Sequence, residues 1–111
     1  MTNKILNIAE EYSDTPAGRY LSDGNYSGQR FRDEFLFPAL QNNCEVEVIL
    51  DGTLGCGSSF LEEAFGGLIR EKNMDLAEIE SKLHITSSRA LYKNKIWQYL
   101  KDAQLEKKKK K

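Results

Sequence analysis

The pattern of apolar and polar positions divides the chain into strand-like and helix-like runs arranged about one central stretch, Val46 to Ile69. Val46-Glu47-Val48-Ile49-Leu50 is rich in β-branched residues and becomes continuously apolar just before Asp51, which predicts a strand buried on both faces of a sheet. A glycine-rich loop follows. Beyond it Phe60, Leu61, Ala64, Phe65, Leu68 and Ile69 recur at helical spacing, with Glu62, Glu63 and Arg70 on the opposite side. Ser59 and Glu62 stand at capping-box spacing, so the helix is expected to begin at Ser59 as its cap.

The flanking segments extend this plan. Lys4 to Ala9 fits a first strand through Ile5, Leu6 and Ile8, Thr15 to Gly18 reads as a turn, and Arg19-Tyr20-Leu21 as a short second strand. Ser27 is placed to cap a helix carrying Phe31, Phe35, Leu36, Ala39 and Leu40, which Pro38 should kink or shorten. Asp75 is a cap for a short helix through Leu76, Ala77 and Ile79, and Leu83-His84-Ile85-Thr86 is the next strand, parallel to the central one by a helical crossover. Ser87 or Ser88 then caps a helix to about Glu106, with Tyr92, Ile96, Tyr99, Leu100 and Ala103 on one side. The expected architecture is a single α/β domain, residues 1–106, built as a mixed four-stranded sheet with helices packed on it. A basic, disordered tail at 107–111 completes the chain.

Composition narrows the function classes. With 40% apolar and 30% charged residues in 111, the chain is expected to fold around one core. No apolar run approaches the roughly 20 residues of a membrane span, and the first residues lack the apolar segment of a signal peptide, so a cytoplasmic location is expected. Cys44 and Cys56 have neither metal-ligand spacing nor a histidine cluster, which predicts free thiols and no metal. The net charge of −1 conceals an acidic body: without Lys107 to Lys111 the basic count falls from 16 to 11 against 17 acidic residues, a charge of −6. Such a body disfavours nucleic acid and favours a protein partner. The lysine tail itself reads as solvated.

Candidate chemistry converges on the loop Gly52 to Ser59. A loop that ends at a helix N-terminus presents unpaired amides and a partial positive charge, suited to an anion or a phosphorylated side chain. Gly52 and Gly57 stand at the spacing of a phosphate-binding P-loop, but Ser58 occupies the place of its essential lysine, so nucleotide hydrolysis is not expected and no cofactor is implied. Cys56 reads as a small loop residue, His84 as a core or edge residue, and Glu62-Glu63 as a solvated face, because adjacent carboxylates diverge. Gly66-Gly67 within a helix costs on the order of 1 kcal/mol per glycine and calls for a close approach by a neighbour. The expected contact or phosphoacceptor set is Asp51, Gly55, Cys56, Gly57, Ser58, Ser59 and Phe60. In it Ser58 is the regulated serine and Ser59 chiefly the cap. The alternative is a small anion- or nucleotide-binding domain using the same loop.

Three segments, SGQRFRDEFLFPAL, VEVILDG and SSFLEEAFGGLIR, together resemble a STAS-like domain family of unknown function, which is similar in pattern to the STAS domains of anti-sigma-factor antagonists. The resemblance implies a non-catalytic regulatory module. It further implies that Asp51 matches the acidic residue after the strand and that Ser58-Ser59 match a serine pair phosphorylated by a partner ATPase of the histidine-kinase-like fold. Gly57 and Phe60 depart from that pattern, which has aspartate before the serines and glycine after them.

Overall fold

A computed structural model describes residues 3–109. Within them β1 (Asn3–Asn7), β2 (Glu45–Ile49) and β3 (Leu83–Thr86) form one sheet in the order β1-β2-β3, with both pairings parallel. These are the strands expected from the central run, from Leu83 to Thr86 and, in part, from Lys4 to Ala9, where Ile8 and Ala9 instead open a helical turn, Ile8–Glu11, capped by Asn7. The fourth, at Arg19-Tyr20-Leu21, does not form, so the sheet is three-stranded and wholly parallel rather than four-stranded and mixed. The cause is local. The Asp23 carboxylate accepts from the amides of Arg19 at 3.1 Å and Tyr20 at 2.8 Å, and the backbone closes into a 3₁₀ turn, Leu21–Asp23. Side-chain bonds of this kind compete with a sheet ladder for the same donors.

The central strand is buried on one face, not two. Val46, Val48 and Leu50 join Leu6, Leu83 and Ile85 in the core. The opposite face carries Ile5, Glu47 and His84 in register and is largely open, with Ile5 56% exposed. The Glu-Val-Glu-Val alternation carried this period of two, and the apolar pair Ile49-Leu50 masked it.

The first long helix spans 28–42, from Gly28–Phe31 through a π turn at Arg32–Leu36 to Phe37–Asn42. Ser27 caps it as expected, its Oγ accepting from the Arg30 amide at 3.2 Å. The helix continues through Pro38 instead of stopping there. The wider turn immediately before Pro38 relieves the contact its ring would make with the carbonyl one turn back and absorbs the missing donor.

The second helix spans 58–70, again with a π turn, Glu62–Gly66, between Ser58–Leu61 and Gly67–Arg70. It lies between the 28–42 helix and the long C-terminal helix Ala90–Lys109. Its apolar stripe Phe60, Leu61, Ala64, Phe65, Leu68 and Ile69 is fully buried. The close approach expected at Gly66-Gly67 is present: a Cβ added at Gly67 would stand 2.2 Å from Arg32 Nη1, and one at Gly66 would meet Glu62 and Arg70.

Leu76–Lys82 begins after Asp75, whose side chain does not cap it but meets Lys107 Nζ at 2.8 Å. The last helix runs past Glu106, so Lys107 to Lys109 are helical although a disordered tail was expected from Lys107 onward. Lys110 and Lys111, the remainder of that expected tail, lie outside the described residues. No helix among the described residues is long and apolar enough to cross a membrane.

Candidate functional site

The glycine loop leaves the carboxyl end of β2, where open α/β sheets tend to bind their ligands, and it is pinned at three points. Thr53 Oγ1 donates to the Leu50 carbonyl at 2.9 Å, closing the first turn. The Leu54 amide donates to the Asp14 carbonyl at 2.7 Å, and the Cys56 amide reaches Tyr92 Oη at 3.4 Å. Gly52 and Gly55 adopt φ of 98° and 156°, a region that L side chains rarely enter. Between the last two pins Leu54 projects outward, 78% exposed.

The loop delivers the chain into the 58–70 helix two residues earlier than its sequence predicts, with the cap at Gly57 rather than Ser59. Gly57 is the N-cap, and Ser58 and Ser59 are the first two helical residues. The capping box is absent because Glu62 turns away from the helix start toward Arg19 and Arg70. Both serines are exposed, and neither hydroxyl makes a hydrogen bond among the described residues. Ser59→Ala should therefore shift stability by less than about 0.5 kcal/mol in a denaturant titration, not by the roughly 1 kcal/mol of a lost cap.

The other expected contact residues separate into two groups. Gly55 and Gly57 belong to the surface loop, but Phe60 is fully buried beside Phe31 and Tyr12, which removes it from any contact surface. Cys56 is buried too. Burial pushes its thiol upward and a hydrogen bond with Thr53 pulls it only partly back, the opposite of an activated nucleophile. Cys44 and Cys56 are free thiols. His84 is exposed on β3 and meets Glu45 at 3.0 Å.

The Asp51 carboxylate is taken up by Ser88. Its Oδ1 accepts from the Ser88 amide at 2.8 Å and the Ser88 hydroxyl at 2.9 Å, and these bonds hold its carboxyl below the usual range. Asp51, Thr53, Ser87, Ser88, Arg89 and Tyr92 line a cleft of about 180 Å³. Small-molecule pockets typically enclose about 300–1,000 Å³, so this cleft is small for a nucleotide.

One turn beyond the serines lies a charge network that the sequence did not reveal. Arg32 Nη1 donates to Glu63 Oε2 at 2.6 Å and to the Glu63 carbonyl at 3.1 Å, with both side chains almost fully buried. Glu63 is thus no solvated carboxylate. Arg19 pairs with Glu62 and reaches Glu63 at 3.2 Å, while Arg70 Nη2 meets Glu62 at 3.0 Å and Glu63 at 3.3 Å. The one legible sign was the placement of Gly67, whose missing side chain admits Arg32.

For Glu62, burial opposes the charged form, but hydrogen bonds and charge from Arg70 and Arg19 outweigh it and hold the carboxyl below its ordinary value. A carboxyl depressed on folding contributes stability above its unfolded pKa, and that contribution disappears as pH falls through the folded value. Glu62→Gln should therefore narrow its stability gap from the parent protein as the solution is acidified through the carboxylate range. Denaturant titrations at neutral pH and near pH 3 measure this.

A family model for a STAS-like domain of unknown function matches residues 27–92. That span covers the 28–42 helix, β2, the glycine loop, the 58–70 helix, β3 and the start of the last helix. No curated protein and no solved structure matches the chain. The matched span exceeds half the sequence and contains the whole loop and both serines, and the chain belongs to the STAS-like domain family of unknown function.

Proposed function

We propose that this domain is a non-catalytic regulatory module that binds a protein partner through the end of the molecule where the 51–57 loop meets the 58–70 helix. The charge state of the serine pair selects the partner. The observation that carries this reading is the state of Ser58 and Ser59: exposed, unbonded within the described residues, and fixed at a helix start by a pinned loop. A phosphate there adds roughly 1.5 to 2 negative charges where the first helical amides favour an anion. Leu54, 78% exposed in the loop that leads to the serines, supplies an apolar anchor for a partner.

The partner class is a kinase of the histidine-kinase-like ATPase fold, by resemblance to anti-sigma-factor antagonists. In the transfer the serine oxygen bonds to the γ-phosphorus of ATP and the bond to ADP breaks. The hydroxyl proton passes to a base of the kinase. Small-anion binding at the same loop is the competing reading, and the 180 Å³ cleft beside Asp51 weighs against its nucleotide form. Calorimetry separates them: this account expects no micromolar binding of ATP, GTP or sulfate. It expects Ser58→Asp or Ser59→Asp to change affinity for the co-purified partner at least about tenfold, roughly 1.4 kcal/mol. Tight nucleotide binding, or partner affinity indifferent to both substitutions, contradicts it.

A further inference from the structure

Ser59 precedes Glu62 by three residues and Glu63 by four, so on a helix its side chain lies one turn from both carboxylates that hold Arg19. Arg19 is partly exposed and belongs to a different segment, the 17–27 loop that leads into the 28–42 helix. That loop is stitched by a bond from the Ala17 amide to the Tyr26 carbonyl at 3.1 Å and tied to the 28–42 helix by one from the Gln29 amide to the Arg19 carbonyl at 3.0 Å. It exposes Tyr20 by 51% and Leu21 by 58%, two of the large apolar side chains on the surface. The ion pairs of Arg19 with Glu62 and Glu63 are therefore a charged link between the serine-bearing helix and a loop that exposes Tyr20 and Leu21.

We propose that Arg19 reads the charge on Ser59: a phosphate there competes with Glu62 for the Arg19 guanidinium and repositions the 17–27 loop with Tyr20 and Leu21. This rests on the serine-switch reading above, and it names Ser59, rather than Ser58, as the serine coupled to the loop. The exchange is balanced. Glu62 keeps its bond from Arg70 at 3.0 Å when Arg19 leaves, so no carboxylate is stranded. Arg32 stays on Glu63, and Asp23 remains engaged with the amides of Arg19 and Tyr20. The planar guanidinium binds a dianionic phosphate in a two-pronged mode stronger than its present carboxylate contacts. The phosphate arrives from a nucleoside triphosphate with loss of the diphosphate, as described above, and no further reactant is needed.

The test uses the full chain carrying phosphoserine installed at position 59 during synthesis, so that no kinase is required. Phosphorus NMR then follows the second ionisation of the phosphate, ordinarily near pH 6. With Arg19 present it should titrate about 0.5–1 unit lower than in Arg19→Gln, since a guanidinium within a few ångströms favours the dianion. Amide exchange across residues 17–24 should quicken about tenfold on phosphorylation, and this response should vanish in Arg19→Gln. If the glutamine variant melts, Arg19→Lys keeps one charge and should give an intermediate titration. Identical phosphate titrations with and without Arg19, or unchanged exchange in the loop, overturn the proposal. A partner whose affinity follows the phosphate although Arg19 has no effect would reject this link and leave the switch standing. The opposite pattern would reject the switch alone.

Discussion

Arg32→Ala is expected to destabilise the domain by about 3–5 kcal/mol, the range for a buried ion pair deprived of one partner. Arg32 and Glu63 are 4% and 5% exposed, so removing the guanidinium strips Glu63 Oε2 of its donor where water hardly reaches, and Arg19 and Arg70 remain only on Oε1 at 3.2 and 3.3 Å. It also strips the Glu63 carbonyl of its 3.1 Å donor and opens the space that Gly67 vacates for the arginine. Against a total stability of about 5–15 kcal/mol for a domain, a loss of that size brings the chain near its unfolding limit. Arg32→Met with Glu63→Leu removes both charges together and should cost less than the two single changes summed, because the buried Arg32–Glu63 contact is then replaced rather than half removed. Urea titration of the four proteins measures the coupling.

Gly28→Ala should be the most damaging single-methyl substitution among the glycines of the helix contacts, at about 1–3 kcal/mol or more. The added Cβ would lie 2.5 Å from the Phe60 carbonyl oxygen and 3.0 Å from the Ala64 amide nitrogen, both backbone atoms of the neighbouring helix. Backbone cannot rotate out of the way as a side chain can. The two helices must separate, and the tilted ring contacts of Phe31, Phe60 and Tyr12 must loosen with them. Gly57→Ala is the control. Nothing lies within 4 Å of its Cβ position and its φ of −64° suits any residue, so its cost should stay below about 1 kcal/mol. Thermal melts of both variants decide, and equal losses would mean that the helices are not in contact at Gly28.

The same contact explains what could and could not be read from sequence. Apolar runs announced β1, β2 and β3, and the period of Phe60 to Ile69 announced a buried helix face, because each signal lies within a single element. The fourth strand failed where a side chain, Asp23, took the amides that a ladder would have used. The cap at Ser59 failed for a different reason. Its spacing to Glu62 was correct, yet Glu62 is drawn to Arg19, which lies 43 residues away, and no local pattern encodes that competition. Glu63 was misjudged likewise, since its partner Arg32 is 31 residues distant. The glycine pair alone pointed to the close packing, without identifying what approached. The loop as a unit was legible, but Phe60 and Cys56 are interior and Asp51 serves Ser88, leaving the two serines and Leu54 as its outward chemistry.

The most direct test of the regulatory account is to recover the partner bound to this chain from its source cells, add ATP, and sequence the peptide containing Ser58 and Ser59 by mass spectrometry. Phosphate on one of the two serines, absent from the Ser58→Ala/Ser59→Ala protein, is the predicted result, with Ser59 the site that couples to Arg19. A partner that binds the parent and the double variant equally, with no phosphate on the peptide at any time, would contradict it.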